Sequence, residues 1–399
     1  MSALYGTYAR SELAFERGEG MRLFAADGTS YLDFHSGIGV NALGHADPHL
    51  VSTLKQAAER VWHTSNVFTI PEQERLAQRL VDATFADAVF FTNSGAEALE
   101  CAIKTARRYF YDKGETDRYE IIAFTGSFHG RTMATIAAGG NPHYTEGFGP
   151  VVPGFKHTAP GDLAAVEALV TPQTAAILIE PVQGEGGVTA MSVEFLEGLR
   201  RLCDAHGMLL IFDEVQCGYG RTGRFFAYEW TSITPDVMAV AKGIGGGFPL
   251  GACLARGEVA KVMVPGTHGS TYGGNPLACA IGNAVLDRVL GPGFIEHVEQ
   301  VGQILAWHLQ QLAQRFPQYV VELRGKGLIA GLKITPPVRD FVARLRDNHQ
   351  LLAVAAGDNV LRLLPPLIAT EEDVKEAVGK IADAFQAFER EMDTPPEID

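Results

Sequence analysis

Leu209-Leu210-Ile211-Phe212-Asp213-Glu214-Val215-Gln216 is an apolar run that ends abruptly in two carboxylates. Such a run reads as a strand buried on both faces, and ligands of parallel sheets collect at the carboxyl ends of strands. Further along, Val237-Met238-Ala239-Val240-Ala241-Lys242-Gly243 repeats the design with a lysine where the strand stops, followed by a flexible GIGGGFPLG loop. Outward from these two stretches, short apolar runs at Ala88–Phe91, Glu120–Phe124 and Ala175–Ile179 alternate with helix-period segments from Ala96 and over Val193–His206. The rhythm predicts an α/β fold: a mostly parallel sheet with helices on both faces.

The opening segment MRLFAADGTSYLDFHSG reads as short strands around a turn at Asp27-Gly28, separate from the main sheet. After a helical stretch near Leu277–Leu290, Gly291-Pro292-Gly293 marks a break, and Phe294–Phe316 is amphipathic at helical spacing. We therefore place a large domain at 46–290 and build a smaller α/β domain from both termini, 1–45 and 291–399. An acidic, proline-bearing tail from about Asp393 is expected to fray.

Among 399 residues, 33 basic against 47 acidic side chains leave a net charge of −14, and no Lys/Arg block stands out. That argues against a nucleic acid or an anionic membrane as partner. Five cysteines, Cys101, Cys203, Cys217, Cys253 and Cys279, form no CxxC pair and cannot all close into disulfides, which suits a reducing compartment. The first residues carry charges and glycines where a secretory peptide needs an apolar core, so a cytoplasmic protein is expected. No HExxH, Cys/His cluster or GxxxxGK[ST] loop is present, and no metal is expected.

An aspartate and a lysine at adjacent strand ends could form a plain buried salt bridge, or they could face one bound molecule. Pyridoxal 5′-phosphate needs such a pair: an amine to form an imine, and a carboxylate to keep the pyridine nitrogen protonated. Phe90-Phe91-Thr92-Asn93-Ser94-Gly95-Ala96-Glu97-Ala98 reads as strand, turn and helix start, with capping-box spacing between Ser94 and Glu97. Its first-turn N–H groups suit a phosphate, and Gly95 lets the backbone come close. Ser127-Phe128-His129-Gly130-Arg131-Thr132 adds a ring that could stack on a pyridine and a guanidinium fork for a carboxylate. His129 is expected to support a site residue from behind or to be structural, and not to be the catalytic base, since Lys242 already supplies one.

These residues resemble the class III, or ornithine-type, aminotransferases of fold type I. The likeness runs from Leu32-Asp33-Phe34 through Asn93–Glu97, Phe128–Arg131, Glu180-Pro181-Val182-Gln183-Gly184-Glu185, Asp213–Gln216 and Lys242 to Gly269-Ser270-Thr271-Tyr272-Gly273-Gly274-Asn275-Pro276 and Leu361-Arg362-Leu363-Leu364-Pro365-Pro366. The resemblance implies that Lys242 holds the cofactor and shuttles the proton. Asp213 would pair with the pyridinium nitrogen and Gln216 would reach the phenolic oxygen. Phe128 and Val215 would sandwich the ring. Gly95 and Ala96 would hold the phosphate with Thr271, which in this family comes from the neighbouring subunit of a homodimer.

Within the family, Ile38-Gly39-Val40-Asn41-Ala42-Leu43-Gly44-His45 resembles the branch that acts on N2-acetyl-L-ornithine with 2-oxoglutarate and glutamate as the other pair. An apolar residue at Ile38 suits an acylated amine, where enzymes of free ornithine typically carry tyrosine. By the same resemblance Arg131, helped by Ser270, would take the distant carboxylate of either substrate. Arg362 would take the near carboxylate of glutamate, with Glu185 neutralising it when acetylornithine is bound. Succinylornithine, succinyldiaminopimelate, ornithine and 4-aminobutyrate remain alternative substrates, and a cofactor-binding regulator is the alternative outside enzymes.

Overall fold

The computed structural model describes residues 3–393. The five segments that the sequence marks as apolar strands assemble, with Phe155–Thr158 and Gly251–Ala255 added, into one seven-stranded sheet. Its strands are β1 (Ala88–Thr92), β2 (Glu120–Phe124), β3 (Phe155–Thr158), β4 (Thr174–Ile179), β5 (Leu209–Asp213), β6 (Val237–Val240) and β7 (Gly251–Ala255), in the spatial order β1-β7-β6-β5-β4-β2-β3. Every residue of β4 and β5 is buried, as expected of strands covered on both faces. From β6 to β3 all neighbours run parallel.

β7 is the one reversed strand, antiparallel to both β6 and β1. It corrects the reading of a flexible loop after Lys242. Lys242–Gly245 forms a 3-10 turn with Ile244 fully buried, and the chain re-enters the sheet at Gly251. A side chain at Gly251 would meet the Ser94 carbonyl oxygen at 2.7 Å, so glycine is what lets β7 close against the end of β1. Two antiparallel steps restore β1 to the direction of β6, and the carboxyl ends of β1, β2, β4, β5 and β6 all reach the same edge.

Helix α1 (Gly95–Asp112) follows β1 after a tight turn. Ser94 caps it, its Oγ accepting from Glu97 N at 3.3 Å. The Glu97 carboxylate turns back to the amide of Asn93 at 2.5 Å, one residue before the position that a capping box requires. Helix α2 (Val193–His206), capped by Ser192 and ended at Gly207 in the left-handed conformation, buries Phe195, Leu199 and Leu202 against the sheet.

Outside this sheet, Phe15–Glu19, Arg22–Ala25 and Ser30–Asp33 form a second sheet whose fourth strand is Leu351–Leu352. The Asp27-Gly28 turn lies where expected, Asp27 Oδ1 accepting from Thr29 N at 2.9 Å. A third sheet orders Val320–Lys326, Ile329–Ile334, Val360–Leu363 and Val354–Ala356. One hydrophobic cluster joins Met21, Leu32 and Phe34 to Leu305, Phe341 and Phe385. We propose the domain division 1–45, 46–290 and 291–399, supported by this core and by the parallel pairing of Leu32 with Leu351. No described helix is long and apolar enough to cross a membrane. The expectation for the tail beyond Asp393 lies outside the described residues.

Candidate active site

The shared strand edge opens into a cavity of about 440 Å³. β5 delivers Asp213 to its floor and β6 delivers Lys242, while Phe128 and Val215 supply apolar walls. Gly95 and Ala96 line it at the start of α1, and Arg131, Glu185 and Gln216 line it among loops.

Asp213 and Lys242 make no salt bridge with each other. The Asp213 carboxylate instead accepts from His129 Nδ1 at 2.8 Å and from Val215 N at 3.0 Å, with His129 sealed from solvent and Asp213 3 % exposed. Burial works against a charge on His129, but Asp213 and Glu180 outweigh it and raise the imidazole above its ordinary range. The other ring nitrogen, Nε2, has no partner among the described residues. Burial, reinforced by Asp213, pushes the Glu180 carboxyl up to about 8. Glu180 also accepts from Phe128 N at 2.8 Å. Sequence reasoning gave Glu180 no role of its own. The strand-end rule that singled out Asp213 applies to it equally, because Glu180 is the first residue past β4.

Lys242 adopts a left-handed backbone, φ +51°, which a non-glycine residue holds only when its surroundings impose it. Its ammonium makes no hydrogen bond or ion pair with a described residue and faces the cavity. Burial, and then the positive charge of Arg362, bring it down to about 8. Across the cavity the N–H groups of Gly95 and Ala96 have no acceptor among the described residues. A side chain at Gly95 would strike Val215 Cγ1 at 2.7 Å, so the glycine keeps the walls close.

Arg362 is fully buried beside the cavity, donating to Glu185 Oε1 at 2.7 Å and Gln216 Oε1 at 2.9 Å. Arg131 is exposed at the cavity edge and has no carboxylate partner among the described residues. Ser270 and Thr271 do not line this cavity. Ser270 Oγ accepts from Asn93 Nδ2 at 3.3 Å, whereas Thr271 is exposed. Ile38 is 36 % exposed and does not line it either, whereas Val40 does.

A planar aldehyde carrying a phosphate and a basic ring nitrogen needs an amine, an acid partner, two apolar faces and an anion pocket. Lys242 without a partner, Asp213, the Phe128 and Val215 walls and the free N–H groups of α1 meet those needs. Fold and cavity together define a transaminase dependent on pyridoxal 5′-phosphate. Residues 6–385 match the family described as Aminotransferase class-III, and the chain belongs to that family. It is 59 % identical over 383 residues to the acetylornithine aminotransferase of Brucella melitensis biotype 1, covering 96 % of this chain and 95 % of that one. Among solved structures it is similar to ornithine aminotransferase from Toxoplasma gondii, with TM-score 0.93, 32 % identity and coverage of 98 % and 94 %. It is also similar to N-acetylornithine aminotransferase from Stenotrophomonas maltophilia, with TM-score 0.84, 36 % identity and coverage of 96 % and 98 %.

Proposed function

We propose that this enzyme transfers an amino group reversibly between N2-acetyl-L-ornithine and 2-oxoglutarate, giving N-acetyl-L-glutamate 5-semialdehyde and L-glutamate, a step of arginine biosynthesis. The 59 % identical relative supports the substrate. The observation that carries the reading is the pairing of Arg362 with Glu185 at 2.7 Å beside an unpaired Arg131. Acetylornithine presents its δ-amine with one carboxylate far away, and glutamate presents its α-amine with one carboxylate near and one far. A far guanidinium that is always free and a near one that can be neutralised fit both in one cavity.

When bound, the cofactor supplies the carbon that accepts the amine and a ring that withdraws electrons from it. Lys242 Nζ, brought to about 8, takes and returns the proton at the substrate carbon bearing the amine. Asp213, held by His129 and Val215 N, offers a fixed carboxylate to a protonated ring nitrogen. Gly95 and Ala96 direct N–H groups at the phosphate, with Thr271 from a partner subunit, and Gln216 reaches the ring hydroxyl. Arg131, helped by Ser270, takes the far carboxylate. Glu185 neutralises Arg362 while acetylornithine is bound and releases it to the near carboxylate of glutamate.

A homodimer with a shared site belongs to the same proposal. Thr271 is exposed, and beside it lies an apolar patch of Trp62, Val67, Phe68 and Tyr272, each more than 60 % exposed. Asn66 ties the two segments together by donating to the Ser270 and Gly273 carbonyls. Sedimentation of a monomer at micromolar concentration would remove that part. Cytoplasmic residence is proposed too, supported by five buried cysteines that are all free thiols.

The test of the reaction is the absorbance of the loaded enzyme. Acetylornithine should remove its visible band and 2-oxoglutarate should restore it. A band that responds to ornithine or 4-aminobutyrate but not to acetylornithine overturns the reading.

A further inference from the structure

Arg131 is a long, flexible side chain at an exposed edge, and such a side chain loses much rotamer freedom when it is held to receive a ligand. The described structure holds it without a carboxylate. Its guanidinium carbon lies 3.8 Å from the centroid of the Tyr144 ring and 5.5 Å from that of Phe128. The Phe128 and Tyr144 rings meet edge to face, with centroids 6.0 Å apart and an interplanar angle of 88°. Tyr144 itself is fixed on the short helical turn Pro142–Thr145, where Asn141 Oδ1 accepts from His143 N at 3.0 Å. Gly140, in the left-handed conformation, closes the preceding helix against His157, which fixes the path into that turn.

We propose that Tyr144 is the positioning residue for Arg131, holding the guanidinium over its ring face so that the N–H donors stay free for the far carboxylate of both substrates. An acidic partner would hold Arg131 as firmly, but it would cancel the charge and occupy the fork that a carboxylate needs. A ring face attracts the cation through its quadrupole and consumes no donor. The edge contact with Phe128 ties this platform to the wall of the cofactor cavity, so the far-carboxylate site is registered against the position of the reacting amine. The Tyr144 hydroxyl makes no hydrogen bond with a described residue, so the ring and not the phenol does the holding.

The inference rests on Arg131 receiving the far carboxylate, and the experiment separates the two claims. Tyr144→Leu and Tyr144→Phe are compared with Arg131→Ala by calorimetric binding of glutarate to the loaded enzyme and by steady-state kinetics. Tyr144→Leu should weaken glutarate and raise KM for acetylornithine and 2-oxoglutarate by a common factor of roughly 3 to 30, the range of a cation–π contact between exposed and desolvated settings. Tyr144→Phe should retain the affinity. N-acetyl-1,4-diaminobutane, which has the same reacting amine and no carboxylate, should be turned over by Tyr144→Leu as by the parent enzyme. Equal losses on substrates with and without the carboxylate would make Tyr144 a structural residue only and overturn the proposal, as would a Tyr144→Phe as poor as Tyr144→Leu. If Arg131→Ala weakens glutarate and Tyr144→Leu does not, the Tyr144 inference alone fails. If Arg131→Ala binds glutarate normally, the substrate reading fails and takes the inference with it.

Discussion

Two hydrogen-bonded side-chain pairs of nearly equal length border the same cavity and differ in burial. His129–Asp213 measures 2.8 Å and Arg362–Glu185 2.7 Å. In the first, both side chains are sealed, at 0 % and 3 % exposure, and Asp213 is gripped a second time by Val215 N. In the second, Arg362 is sealed on a strand of the smaller sheet while Glu185 is 32 % exposed on a loop flanked by Gly184, Gly186 and Gly187. Removing a partner from a sealed pair strands a charge that water cannot reach, so such a pair fixes its geometry. In the second pair only Glu185 reaches solvent, so it can swing outward when a substrate carboxylate takes its place on the sealed Arg362, which is never left without an anion. Burial and backbone, not distance, separate a scaffold from a switch.

The largest effect should come from the lysine between the two pairs. Lys242→Ala should abolish turnover while the protein folds and retains cofactor without a covalent bond. Borohydride reduction of the parent followed by peptide mapping should mark Lys242, and label on any other lysine breaks the assignment of both pairs around it.

Asp213→Asn tests the sealed pair. It should slow both half-reactions alike by at least about a hundredfold, on the order of 3 kcal/mol in the barrier, because the fixed charge serves either substrate. Single-turnover rates that fall in one direction only would mean that this pair also switches.

Arg362→Ala tests the open pair and should be asymmetric. The glutamate half-reaction should fall by roughly thirtyfold or more, since a desolvated guanidinium–carboxylate contact is commonly worth a few kcal/mol. The acetylornithine half-reaction should change far less. Equal losses would falsify the switch and leave Glu185–Arg362 as a fixed bridge.

The smallest effect is a titration. Lys242 stands at about 8 in part because Arg362 repels its proton, while Glu185 works the other way and favours the charged ammonium. Glu185→Gln removes the stabilising charge, so the Lys242 midpoint should move down, and the neutral, reactive amine should appear at lower pH. Reductive methylation of the apoenzyme across pH, read at Lys242, measures it. A midpoint near the ordinary lysine value in the parent would contradict the burial of this amine.

Much of this was legible because it is local. Continuous apolar runs marked β4, β5 and β6, and ligands of parallel sheets collect at the carboxyl ends of strands, which brought Asp213 and Lys242 to one edge. β7 escaped because Gly251-Ala252-Cys253-Leu254-Ala255 is short, small in its side chains and preceded by glycines, and it becomes a strand only between β1 and β6. His129 is expected from sequence to support the site or to be structural, but nothing near it in sequence announces its partner Asp213, 84 positions away.

By itself the sequence determined the α/β alternation, the strand ends that carry chemistry and, through motifs, the family. These depend on periodicity and on the type of residue at each position, which the chain carries wherever it lies in space. Only the tertiary structure decided which charges pair: Asp213 with His129 and not with Lys242, Arg362 with Glu185, and Arg131 with the face of Tyr144 instead of with any acid. Electrostatic and ring contacts act over a few ångströms between residues that are distant along the chain. Their partners, and the solvent exposure that makes one pair rigid and another exchangeable, exist only once the sheet has gathered its loops at one edge.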